Sequence, residues 1–85
     1  MEILCINDQN RPNEIPTSRW ISLGESYTIR KLVLMKQQHG IAGIKLNEIN
    51  NDDLFPYTYF RLDRFAISSD QIKELVEADL VEHVN

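Results

Sequence analysis

Cys5, His39 and His83 are the side chains in this sequence best suited to nucleophilic or metal chemistry. A catalytic thiol needs a lowered pKa and a base within hydrogen-bond reach. Cys5 lies in the apolar run Ile3-Leu4-Cys5-Ile6, where a free thiol behaves as a small hydrophobe, and neither histidine is spaced to serve it. It is predicted to be a buried structural residue. Metal binding would draw on His39, Asp52, Asp53 or His83, but no C-x-x-C, H-x-x-x-H or EF-hand spacing joins them. His83, near the end of an expected helix, suits the negative pole of its dipole. The adjacent carboxylates Asp52 and Asp53 are of the type used in pairs for general acid–base catalysis. Neighbours on the polar run Asn50-Asn51-Asp52-Asp53 rarely share a desolvated pocket. The expectation is therefore a non-enzyme, with no catalytic set, no metal and no cofactor.

Aromatic side chains carry the richest pattern. Phe55, Tyr57, Tyr59 and Phe60 crowd one short segment, with Trp20 and Tyr27 upstream. A small fold cannot bury all of these, and Trp and Tyr suit half-wet surfaces. Trp20, Tyr57, Tyr59 and Phe60 are the candidate partner-binding residues, as a groove for an extended peptide or a protein surface. The competing reading is that they seal a barrel end or a helix contact. The loop Asn10-Arg11-Pro12-Asn13-Glu14-Ile15-Pro16 is stiffened by two prolines, with Ile15 and Trp20 as its anchors and Glu14 expected to pair with Arg19 or Arg64.

The elements that must position these residues are mostly strands. Glu2–Asn7 is a short β-rich run, and residues 8–19 form a long ordered loop with polyproline-II-like pieces. Leu23-Gly24-Glu25-Ser26 reads as a tight turn with glycine at positive φ. From Ser26 to Lys36, alternation puts Tyr27, Ile29, Val33 and Met35 on one face. Leu32 and Leu34 break it, which calls for a bulge near Arg30-Lys31 or burial on both faces. Gln37-Gln38-His39-Gly40 is the hairpin tip and Ile41–Ile49 the return strand, with Ala42, Ile44 and Leu46 on one face. The segment 54–60 reads as loop. Leu62 and Phe65 have the spacing of one 3₁₀ turn, followed by a last strand, 64–67, with Phe65 and Ile67 inward.

The tail changes period. Ser68 and Gln71 have capping-box spacing, and Ile72, Leu75, Val76, Leu80 and Val84 repeat as a helical stripe. A helix is predicted over 70–83. Its apolar stripe must fold back on the barrel, pair with a second copy or dock on a partner.

At 85 residues, 42 % hydrophobic and 26 % charged, the chain makes one globular unit. It divides into a barrel, 1–67, and a C-terminal amphipathic helix, 68–85, in the same compact unit. The net charge of −4 lies wholly in the tail, where one lysine faces five acids, while the body is neutral. That balance argues against nucleic acid, whose backbone attracts a basic stripe. No apolar run approaches the roughly 20 residues of a membrane helix. The N-terminus lacks a basic region followed by a long apolar stretch, so a cytoplasmic protein is expected.

The run from Cys5 to Trp20, followed by Gly24-Glu25-Ser26-Tyr27-Thr28-Ile29 and closed by Arg64-Phe65, resembles a group of small bacterial and phage proteins of Bacteroides type. They share a C-I-x-D-x-x-R/K-P-x-E-I-P-x-S-x-W opening, a G-E-x-Y-x-V/I strand start and a late R-F. The resemblance covers roughly residues 4–67 and implies an SH3-like barrel without an established activity. The acidic loop after A-L-Y-D-Y of peptide-binding SH3 domains is absent, so proline-motif binding does not carry over. Short strands, a prolyl loop, one long hairpin and a 3₁₀ turn before the last strand agree on a mainly β fold: a small, partly open SH3-like barrel with an appended C-terminal α-helix. The function expected is a non-enzymatic protein-interaction module using the aromatic surface, the helix or both, including a homodimer through the helix. The alternative is a nucleic-acid-binding small barrel, in which arginines and aromatics would neutralise phosphates and stack on bases.

Overall fold

The computed structural model describes residues 1–36 and 40–84. The expected hairpin tip, Gln37, Gln38 and His39, lies outside the described residues. The chain order is β1 (Glu2–Cys5), a 3₁₀ turn (Thr17–Arg19), β2 (Ser26–Met35), β3 (Ile41–Leu46), a second 3₁₀ turn (Leu62–Arg64), β4 (Phe65–Ala66), α1 (Ser69–Glu77) and β5 (Val81–Val84). The fold is mainly β, an open sheet with one C-terminal helix.

β2 organises the sheet. One edge pairs antiparallel with β3 from Ile29 to Leu34. Its other edge is shared: β1 takes Ser26–Thr28 in antiparallel register, and β5 takes Leu32–Met35 in parallel register. β1 then pairs with β4. The register slips between Ile29 and Lys31, at the predicted bulge, and again between Val33 and Leu34. Leu32 and Val33 are both fully buried, so burial on both faces adds to the bulge in breaking the alternation. The chain returns across the far edge of β3 at Phe60, where Ile44 and Phe60 exchange both backbone hydrogen bonds.

The core gathers Ile3, Cys5, Ile21, Tyr27, Ile29, Leu32, Ile44, Leu46, Phe60, Phe65 and Leu75. Cys5 is buried as predicted, and its pKa is raised, chiefly by that burial. Gly24 adopts φ +85° in its turn, as the sequence requires. Ile3 and Cys5 point inward from β1 and Phe65 from β4, with Ile67 half-buried against the core.

The tail departs from expectation. The capping box is present: Ser68 Oγ accepts from the Gln71 backbone N–H, and Gln71 Oε1 accepts from that of Ser68. The helix ends at Glu77, however, not at 83. The Leu80 N–H reaches the Leu75 carbonyl, the Asp79 N–H reaches that of Val76, and Asp79 sits at φ +56°. This is a Schellman stop with aspartate in the left-handed position that glycine usually fills. The predicted stripe is therefore split. Leu75 is 1 % exposed against the sheet and Ile72 half-buried, whereas Val76 stays open to solvent. Leu80 lies in the turn and Val84 in β5, so neither belongs to a helix face. His83 is likewise on β5 and has no part in a helix dipole. The terminal segment is a strand within the sheet instead of a separate helical rod. Four smaller corrections apply. The first strand stops at Cys5, before Asn7, the return strand stops at Leu46, before Ile49, the strand expected over 64–67 is Phe65–Ala66, and the prolyl loop contains one 3₁₀ turn.

Candidate functional site

Four of the aromatics named from sequence do meet. Trp20, Tyr57, Tyr59 and Phe60 line one groove of about 190 Å³, walled on the loop side by Pro12 and Ile15 and rimmed by Arg61 and Arg64. Phe55 stays outside it, 87 % exposed, and Tyr27 belongs to the core.

Each wall has a local cause. The prolyl loop is stiff and tied at several points. The Ile15 N–H donates to the Pro12 carbonyl, the Arg11 guanidinium donates to the Ile15 carbonyl, and the buried Ile15 side chain pins the loop. Trp20 follows the first 3₁₀ turn, and its indole Nε1–H donates to the Asp8 carbonyl at 2.7 Å. Asp8 Oδ2 in turn accepts from the Leu23 N–H at 3.0 Å. Phe60 forms the floor: it is buried, 5.6 Å from the Trp20 ring centroid and 6.3 Å from that of Phe65. The groove floor is thus continuous with the core.

Gly43 allows this arrangement. A methyl group there would overlap the Phe60 carbonyl oxygen and stand 2.6 Å from the Tyr59 ring. Glycine in a strand interior here marks a close backbone approach, the one that brings Tyr59 and Phe60 over β3.

Polar contacts fix the rim. The Tyr57 hydroxyl donates to Glu14 at 2.7 Å, and this bond holds the phenol above its ordinary pKa. Glu14 pairs with neither Arg19 nor Arg64, contrary to expectation: its carboxylate takes the Tyr57 hydroxyl, and both arginines have other partners. Arg19 instead bonds Asp53, and Arg64 donates to the Gln9 carbonyl at 2.7 Å. The Arg64 guanidinium lies 4.9 Å from the Trp20 ring centroid, a cation–π distance. Arg61 is 72 % exposed and touches Asp63.

The Asp52-Asp53 pair is split between different cations. Hydrogen bonds from Lys45 and Arg30 hold the Asp52 carboxyl below its usual range, and Arg19 does the same for Asp53. Lys45 was not singled out by sequence. Its side chain is only 8 % exposed and bonds Asp52 at 3.0 Å and Glu82 at 2.7 Å. Burial pulls its pKa down, but those two carboxylates outweigh burial and leave it raised. A lone lysine between Ile44 and Leu46 was the available signal. Among the described residues, no group of three or more His, Cys, Asp or Glu side chains is placed to hold a metal ion, and no helix is long and apolar enough to cross a membrane. His39 lies outside the described residues.

Comparison of the chain with protein-family models, with curated proteins and with solved structures returned no match.

Proposed function

We propose that this protein is a non-enzymatic interaction module, an SH3-like partly open barrel that binds an extended segment of a partner protein in the Trp20–Tyr57–Tyr59–Phe60 groove. The observation that carries this reading is the groove itself. Half-buried aromatic rings stand open to solvent over a rigid floor, beside a loop already stiffened by two prolines. Such a surface loses little conformational entropy on binding. The pairing of Asp52 and Asp53 with different cations and the burial of Cys5, which raises its thiol pKa, support a binding role over catalysis. A cytoplasmic location and kinship with the small Bacteroides-type barrel proteins belong to the same reading.

The terminal helix is the weaker candidate surface, because Leu75 faces its own sheet and Leu80 and Val84 leave the helix. A second reading, single-stranded nucleic acid, draws on the Arg64–Trp20 stack and the Arg61 rim. The neutral body favours protein over nucleic acid.

The test is direct because Trp20 is the one tryptophan in the sequence. Tryptophan-free peptides that enter the groove should shift its emission saturably, and Tyr57→Ala should weaken that response. Peptide pools of broad composition that leave the emission unchanged would end the groove reading. Salt-sensitive binding of an oligonucleotide alone would replace it with the second reading.

A further inference from the structure

The chemistry of the groove selects among partner segments. Arg61 and Arg64 stand together on its rim, and among the described residues its lining carries no carboxylate. Of the nearby acids, Asp63 is paired with Arg61, and Glu14 accepts from the Tyr57 hydroxyl while keeping its charge. The Arg61–Asp63 contact joins two exposed side chains, so it holds the guanidinium only weakly and exchanges readily for a ligand carboxylate. Arg64 is held differently. Its Nη1 bonds the Gln9 carbonyl and its guanidinium packs on Trp20, which fixes the charge over the groove in advance. A planar guanidinium fixed in this way is well matched to a carboxylate.

Resting on the groove reading above, we infer that the partner segment is acidic: an extended stretch whose apolar side chain enters between Tyr57, Tyr59 and Trp20 while a neighbouring Asp or Glu carboxylate sits between Arg61 and Arg64. The two guanidiniums in the lining are opposite in charge to the segment. A basic segment would set its cation against two guanidiniums, a like-charge contact that rejects wrong partners. Protein is favoured over nucleic acid because acids are interspersed among the surrounding cations, Glu14 and Asp63 beside the groove and Asp53 on Arg19.

The experiment uses three pools of short, acetylated and amidated peptides on the full chain. They share a central Leu-Pro-Leu, and their flanking positions are drawn from Asp and Glu, from Ser and Gln, or from Lys and Arg. Trp20 emission reports occupancy. The acidic pool should bind tightest. Arg61→Glu should weaken it by about tenfold and improve the basic pool, since a charge reversal acts on both. Arg61 is exposed, so this variant keeps its fold, which far-ultraviolet circular dichroism verifies. If the neutral or basic pool binds as tightly as the acidic one and Tyr57→Ala still weakens binding, the charge inference is overturned and the groove reading stands. If no pool binds, both fall. Binding of a short oligothymidylate that outcompetes the acidic pool overturns the inference in favour of nucleic acid. Concentration-dependent dimerisation that occludes Trp20 overturns it in favour of a second copy.

Discussion

The two edges of the β2–β3 pair are finished in opposite ways. On the β5 side, charge is paired within the fold: Lys45 is enclosed by Asp52 and Glu82, and Arg30 adds to Asp52, with its Nε left unpartnered among the described residues. β5 covers the sheet edge there, and Leu75 fills the space beneath α1. On the groove side, aromatic rings are left half open and Arg61 reaches into solvent. One side is built to close the fold and the other to meet something else. Burial with charges paired stabilises, whereas apolar groups held half open to solvent are what binding sites are made of.

Leu75→Ala attacks the closed side. Removing a side chain that is almost wholly buried should cost about 3 kcal/mol, read by denaturant unfolding. Trp20 emission in the folded protein should stay unchanged, because no residue of α1 lines the groove.

Gly43→Ala attacks the open side. The methyl group would push the Tyr59–Phe60 segment off β3 at a cost of about 2–3 kcal/mol, and it should shift Trp20 emission and abolish peptide binding. If the two variants gave the same pattern, the two regions would not be separable.

The sequence carried much of this division, though unevenly. The capping box was readable because Ser68 and Gln71 act locally. The bulge was readable because Leu32 and Leu34 violate a strict period of two. The aromatic cluster was readable because Tyr57, Tyr59 and Phe60 are neighbours in sequence, and only Trp20 needed the fold to join them. β5 was hidden by coincidence: Leu80 and Val84 continue the helical spacing from Val76, and the stop at Asp79 uses aspartate where glycine would have announced it. Lys45 was hidden for another reason. Its role comes from contacts across the sheet, which no local spacing encodes.

The Lys45 clamp should show itself through pH. The Asp52 carboxyl is depressed in the fold, so its contribution is complete above its unfolded pKa of about 4 and is lost as pH falls through the lower folded value. Lys45 is raised, so its contribution is complete below about pH 10.4 and is lost as pH rises through the higher folded value. Tyr57, also raised, adds to the alkaline loss from the groove side. Lys45→Met should cost about 1 kcal/mol at neutral pH, since both carboxylate partners are partly exposed. Thermal melts should show its gap from the parent narrowing toward both extremes of pH.

The smallest effect has the opposite sign. Asp79→Gly should stabilise by about 0.5–1 kcal/mol by relieving the left-handed residue, without altering peptide binding. A loss of stability there would mean that the aspartate side chain matters more than its backbone.

Amide and indole chemical shifts, followed while the acidic peptide pool is added, test the difference between the two sides most directly. The Trp20 indole N–H and the backbone from Tyr57 to Arg64 should move together and saturate, while α1 and β5 stay fixed. Shifts confined to α1 and β5, with the Trp20 indole unmoved, would contradict a groove that binds and a closed side that does not.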